Sequence, residues 1–190
     1  MKTVLFVPGF WQDLTTNDYE STIKAIEKQG YRVVFVSIQW KRTTIDDWIR
    51  ELNKEYMKYE PQDTVLAGFS YGAMTVFGVA VQRLPAELWL FSLSPYFSED
   101  IPQLKQAWLR NIGKQRQKSF QKMSFERLAP LVTCKTLLFI GDTEAKRFPM
   151  LVKRVEEAYK NLPFSQLINI PDCGHDITSK QYIAAIRHAI

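Results

Sequence analysis

Gly68-Phe69-Ser70-Tyr71-Gly72 places a serine between two glycines at the spacing G-x-S-x-G. The segment before it, Thr64-Val65-Leu66-Ala67, is apolar and too short for a helix, which predicts a strand. The segment after it, from Ala73 to Gln82, is apolar on almost every side, which predicts a buried helix. A strand that turns directly into a helix forces the serine into strained backbone geometry. Glycines on either side remove the Cβ atoms that would collide there. The hydroxyl is then raised above the sheet edge, over the N-terminus of its own helix. Such a pentapeptide recurs by chance, so its weight comes from the strand-turn-helix context. The competing reading is a glycine-punctuated turn in any α/β protein.

The same alternation runs through the chain. Strands are expected over residues 3–7, 32–40, 87–93, 136–140 and 166–170, in addition to the one before Ser70. Between them lie a helix over 19–29 that stops at Gly30 and a helical face of Ile45, Trp48, Ile49, Leu52 and Tyr56. Thr44 is placed to cap the latter, with Asp46 and Asp47 in its first turn. Phe148, Leu151, Val152, Val155, Tyr159 and Leu162 form a further stripe, and Tyr182, Ile183 and Ile186 mark a final helix. This order predicts a three-layer α/β/α sandwich around a mostly parallel six-stranded sheet, in one domain spanning residues 1–190. Ligands of such sheets bind beyond the carboxyl ends of the strands.

Residues 96–130 break the rhythm. Lys105, Arg110, Lys114, Arg116, Lys118, Lys122 and Arg127 alternate there with Phe120, Met123 and Phe125. The stretch reads as a partly helical, lid-like basic insertion over the strand ends. Its charge could face an anionic substrate or, across 105–127, a membrane surface. Seven cations without a nucleic-acid-reading motif do not indicate a nucleic-acid partner.

Composition sets the outer limits. With 46% hydrophobic and 24% charged residues, the chain has the make-up of a globular protein that buries a core. No run approaches the ~20 apolar residues of a membrane span. The run Val4-Leu5-Phe6-Val7 stops at Pro8-Gly9, too early for a secretory signal, and a cytoplasmic location is expected. Cys134 and Cys173 have neither the spacing nor the histidine neighbours of a metal site and read as reduced thiols. No phosphate-cradling or dinucleotide motif is present, so no cofactor is implied.

A serine hydroxyl needs a base within hydrogen-bond reach, and the base needs a partner that holds its ring. The chain has two histidines. His188 falls in the last turn of the final helix, where it complements the helix dipole. His175, in Asp172-Cys173-Gly174-His175-Asp176, falls in a loop after the last strand, at the same edge as Ser70. Two carboxylates follow the preceding strand in Gly141-Asp142-Thr143-Glu144. Asp142 could instead brace the turn, whereas Glu144 reaches further toward the crevice. Asp172 and Asp176 are too near His175 in sequence to approach its ring easily.

On these residues the sequence resembles the α/β-hydrolase family over nearly its whole length, with the family's order of Ser, acid, His. The resemblance implies Ser70 as nucleophile, His175 as base and Glu144 as acid, with Asp142 the alternative. It implies an oxyanion hole from the backbone N–H groups of Phe10 and Tyr71, although Pro8 stands where many relatives carry histidine. Trp11 becomes either a wall of the substrate pocket or core. The first strand here corresponds to the family's third, so the leading antiparallel strands are lacking. Size, the early Pro-Gly and the Asp-Cys-Gly-His stretch are similar to the compact serine hydrolases of the retinoblastoma-binding protein 9 kind. The activity implied is cleavage of an ester or thioester of a small acyl group through an acyl-enzyme, without a cofactor. The alternative is a catalytically inactive interaction protein on the same fold.

Overall fold

The computed structural model describes residues 1–14 and 19–190. In chain order its elements are β1 (Thr3–Val7), α1 (Glu20–Glu27), β2 (Arg32–Phe35), α2 (Ile45–Tyr56), β3 (Thr64–Phe69) and α3 (Tyr71–Gln82). There follow β4 (Glu87–Phe91), α4 (Gln106–Ile112), α5 (Lys114–Phe120), α6 (Phe125–Leu128) and β5 (Lys135–Gly141). The chain closes with α7 (Glu144–Arg147), α8 (Pro149–Asn161), β6 (Ser165–Ile170) and α9 (Lys180–Ala189).

The six strands form one sheet in the order β2-β1-β3-β4-β5-β6, and every neighbouring pair is parallel. The order reverses between β1 and β3, which opens a crevice at their carboxyl ends. Strand side chains alternate between two cores. Leu5, Val7, Leu66, Leu88, Leu90, Leu138 and Ile140 pack with Trp48, Phe77 and Val155, under α2, α3 and α8. Val4, Phe6, Val65, Ala67, Trp89, Phe91, Leu137 and Phe139 pack with Ala25, Ile26, Tyr182 and Ile186, under α1 and α9. The result is the three-layer α/β/α sandwich, with no leading antiparallel strands among the described residues.

Three elements stop short of the sequence expectation, among them β4, which ends at Phe91 rather than at residue 93. β2 ends at Phe35 rather than continuing to Trp40. Val36 N–H still donates to the Phe6 carbonyl at 2.8 Å, but β1 then reaches Pro8, which has no N–H for a next rung. Ile38 and Trp40 are buried all the same, with Trp40 edge-on to Trp48 of α2 at 4.9 Å. α1 ends at Glu27, and the chain turns through Gly30 at φ +86°, a conformation suited to glycine. At the start of α2, the Asp47 carboxylate accepts from both the N–H and the hydroxyl of Thr44, each at 3.0 Å.

Between β4 and β5 the chain builds three short helices, with Gly113 at φ +82° between α4 and α5. Phe120, Met123 and Phe125 are buried in the core shared with α3, while Lys105, Arg110, Lys114, Lys118, Lys122 and Arg127 are exposed. An internal ion pair anchors this segment. Arg154 of α8 meets Asp100 at 2.5 Å, with its guanidinium over the rings of Phe97 and Phe125. Cys134 and Cys173 are unpaired thiols, and burial pushes the Cys134 thiol up to about 11. Among the described residues, no helix is long and apolar enough to cross a membrane.

Candidate active site

Ser70 joins β3 to α3 with φ 57° and ψ −114°. For a residue with a Cβ this region is strained by roughly 1–3 kcal/mol, and the surroundings must enforce it. Its N–H donates to the Phe91 carbonyl at 2.8 Å, and its carbonyl accepts from Ala73 at 3.1 Å. The glycines are required by close backbone approach. A Cβ on Gly68 would collide with the Gly72 carbonyl, and one on Gly72 with the carbonyls of Val7 and Pro8. The elbow is thus wedged between β1 and its own helix.

His175 lies in the loop after β6, with Nε2 3.1 Å from Ser70 Oγ. Its Nδ1 lies 2.7 Å from Glu144 Oε2. A carboxylate on Nδ1 fixes the hydrogen there and leaves Nε2 to accept from the serine hydroxyl. Phe69 packs against the ring at 4.6 Å and Phe148 at 5.8 Å. Glu144 is 1% exposed, and its Oε1 accepts from the Ser92 hydroxyl at 2.7 Å and from Gly141 N–H at 2.9 Å. Ser92 Oγ also lies 3.0 Å from the Tyr182 hydroxyl. Its one hydrogen is used on Glu144, so Tyr182 is the donor of that pair. Burial, and then the charge of Glu144, hold the Tyr182 hydroxyl well above the usual phenol range.

Asp142 occupies a different position from Glu144. It is exposed, and its Oδ1 accepts from Cys173 N–H at 3.3 Å. Thr143 adds two bonds to the Cys173 carbonyl, from N–H at 3.1 Å and from its hydroxyl at 2.6 Å. Asp142 and Thr143 therefore tie the loops after β5 and β6 together, while Glu144 faces the imidazole. His188 is exposed in the last turn of α9, remote from this network.

Ser70, His175, Phe10 and Tyr71 border a cavity of about 290 Å³. Its walls are largely aromatic, with Phe10 stacked on Tyr71 at 5.0 Å and Tyr71 against Tyr96 at 4.9 Å. Trp108, Phe148 and Leu151 extend the apolar lining, and Ser94, Asn111 and Arg116 supply polar groups. Trp11 belongs neither to this wall nor to the core. It is 58% exposed with φ 61°, edge-on to Phe10, because the turn after β1 directs it outward. Tyr71 is the first residue of α3, so its N–H has no partner within the helix. Gly9 N–H, by contrast, donates to the Tyr19 hydroxyl and to Gln12 Oε1, each at 3.2 Å.

Sequence reasoning missed Ser92, Ser94 and Tyr182. Ser94 is buried, with its Oγ 3.1 Å from Ser70 Oγ. Both serines follow β4, whose carboxyl end lies beside that of β3. That placement is the signal that could have flagged them, since crevice residues gather beyond strand ends.

The sequence matches no protein-family model and no curated protein. Solved structures are similar over nearly the whole chain. Est1E from Butyrivibrio proteoclasticus, with ferulic acid bound, has a TM-score of 0.81 at 14% identity, covering 100% of this chain and 86% of that one. Alpha/beta hydrolase domain-containing protein 10 from mouse gives 0.78 at 13% identity, covering 98% and 86%. The esterase domain of a Rhodothermus marinus protein gives a TM-score of 0.71 at 16% identity, covering 97% and 82%. The chain therefore has the α/β-hydrolase fold.

Proposed function

We propose that the protein is a serine hydrolase that cleaves carboxylic esters or thioesters through an acyl-enzyme. The observation that carries this reading is the unbroken line from Ser70 Oγ to His175 Nε2 at 3.1 Å and from His175 Nδ1 to Glu144 at 2.7 Å. His175 takes the Ser70 proton as Oγ attacks the substrate carbonyl. Glu144 orients the ring and stabilises the imidazolium that forms. The N–H groups of Phe10 and Tyr71 receive the oxyanion, each such donor being worth on the order of 10²–10³ in rate. The imidazolium then protonates the departing alcohol or thiol, and the acyl group remains on Ser70. Water, deprotonated by His175, attacks that ester, and Ser70 leaves with the returned proton.

The cavity is at the small end of the ~300–1,000 Å³ typical of ligand pockets, which favours short acyl groups. The 96–130 segment, which supplies Tyr96, Trp108 and Arg116 to the walls, acts as the lid in this reading. The size and motifs suit a compact serine hydrolase of the retinoblastoma-binding protein 9 kind. A non-catalytic interaction protein would be favoured by a serine out of reach of its histidine, which is not the arrangement of Ser70 and His175.

A fluorophosphonate probe tests the proposal. Ser70 is the expected site of labelling, and both labelling and hydrolysis of short p-nitrophenyl esters disappear in Ser70→Ala. Hydrolysis that persists in this variant would sink it.

A further inference from the structure

Arg116 stands apart from the other cations of its segment. The remaining six between 105 and 127 are exposed, whereas Arg116 of α5 turns inward, half-buried, and lines the cavity that holds Ser70 and His175. Its Nε donates to the Thr43 carbonyl at 3.0 Å and one Nη to the Trp40 carbonyl at 2.8 Å. The other Nη reaches the Ile112 carbonyl at 3.4 Å, and the guanidinium lies over the Phe10 ring at 4.9 Å. These contacts fix the plane of the group. A guanidinium carries more N–H groups than three carbonyls use, and carbonyl dipoles do not neutralise its charge. Among the described residues no carboxylate pairs with Arg116, and no Asp or Glu lines the cavity. The cavity thus holds one fixed positive charge, already oriented, within a mainly apolar wall.

We infer that Arg116 binds an anionic group of the substrate, so that the ester preferred by this enzyme carries a carboxylate. The inference rests on the proposed hydrolase reading and supplies its substrate class. A planar fork of N–H donors matches a carboxylate edge. A single cation also balances a single carboxylate charge, whereas a phosphate dianion would leave charge unmatched in an apolar pocket. The aromatic walls receive the carbon skeleton, and Arg116 fixes which end of it lies away from Ser70.

Wild-type enzyme is assayed on p-nitrophenyl butyrate and on the p-nitrophenyl monoester of succinate, which places the charge on the acyl side. The butyrate esters of phenol and of 4-hydroxybenzoate place it on the leaving side. In one of these pairs the carboxylate-bearing ester is expected to show kcat/KM roughly ten- to a hundredfold above its neutral partner, mainly through KM. In Arg116→Gln that ratio falls toward one, and Arg116→Lys retains part of it. The ratio is taken on a single preparation, so loss of folded protein cancels. Ratios near one in both pairs for wild type, or a preference unchanged in Arg116→Gln, would overturn the inference and leave Arg116 as a tie between α5 and the 40–43 loop. Failure of the hydrolase reading looks different: no ester is turned over and Ser70 escapes the fluorophosphonate. That result overturns the inference as well.

Discussion

Ser92 and Glu144 share a 2.7 Å hydrogen bond between the ends of two neighbouring strands. The bond occupies one oxygen of a buried carboxylate and leaves the other directed at His175. Behind it, Tyr182 of α9 supports Ser92 at 3.0 Å, so a helix from the opposite layer helps orient the Glu144 carboxylate.

Removing that support should weaken turnover rather than binding. In Ser92→Ala, Glu144 Oε1 keeps only the Gly141 N–H, and one charge-assisted hydrogen bond of roughly 1.5–3 kcal/mol is lost. The expected result is a fall in kcat of about tenfold or more with little change in KM. Tyr182→Phe, which acts through Ser92, should cost less. Steady-state kinetics on a short p-nitrophenyl ester separates the two, and an effect confined to KM would count against this role.

Gly72→Ala should be destabilising by roughly 1–3 kcal/mol and should also lower activity, because the added methyl meets backbone carbonyls of β1 that have no room to retreat. Gly30→Ala provides the contrast. Its Cβ meets nothing within 4 Å, so only the positive φ is strained. Thermal melts of the two variants, with ester hydrolysis alongside, distinguish steric from conformational cost. Equal activity in both would contradict the wedge described for the elbow.

The buried pair of Asp100 and Arg154 should respond asymmetrically to mutation. The side chains are 3% and 1% exposed, so Asp100→Ala leaves a buried guanidinium stranded but for the partly exposed Glu157 carboxylate at 3.2 Å, at a cost toward the lower end of roughly 3–5 kcal/mol. Replacing both together, Asp100→Leu with Arg154→Met, removes the stranded charge and should recover most of the loss. Denaturant melts of the single and double variants measure the difference.

Asp47 gives a pH-dependent contribution. The Thr44 N–H holds its carboxyl below the usual range; partial burial opposes this, and the Thr44 hydroxyl and Arg50 add to it. A depressed folded-state pKa means stability present above the unfolded value of ~3.9 and lost as pH falls through the folded one. Asp47→Ala should therefore melt earlier at neutral pH, by about 1 kcal/mol of cap energy. The gap to wild type should close in acid. A gap independent of pH would mean that Asp47 acts through packing alone.

Strand and helix order was legible in the sequence because β-branched runs and a 3.6-residue stripe are local signals. The serine elbow was legible for the same reason, its two glycines standing beside it in the chain. The pairing of His175 with Glu144 was accessible only by assuming that successive strand ends share an edge. The family's spacing from Gly141 favoured Glu144 and kept Asp142 as the alternative, but the loop bonds that hold Asp142 and Thr143 on Cys173 are not legible in any spacing. Ser92 and Tyr182 were invisible because a serine at a strand end and a tyrosine on an apolar helix face are both ordinary. Arg116 was one cation in seven, and its inward turn depends on carbonyls from a loop more than seventy residues earlier. Trp11 was misread because an aromatic beside a glycine turn carries no mark of the side it faces.

The uniformly parallel sheet also sets its two ends apart, with the candidate site at one of them. At the strands' amino ends Glu87 bridges Lys2 at 2.8 Å and Lys135 at 3.3 Å, a full strand length from Ser70 and His175. A fusion partner or solid support attached along that rim would leave the mouth of the cavity facing bulk solvent.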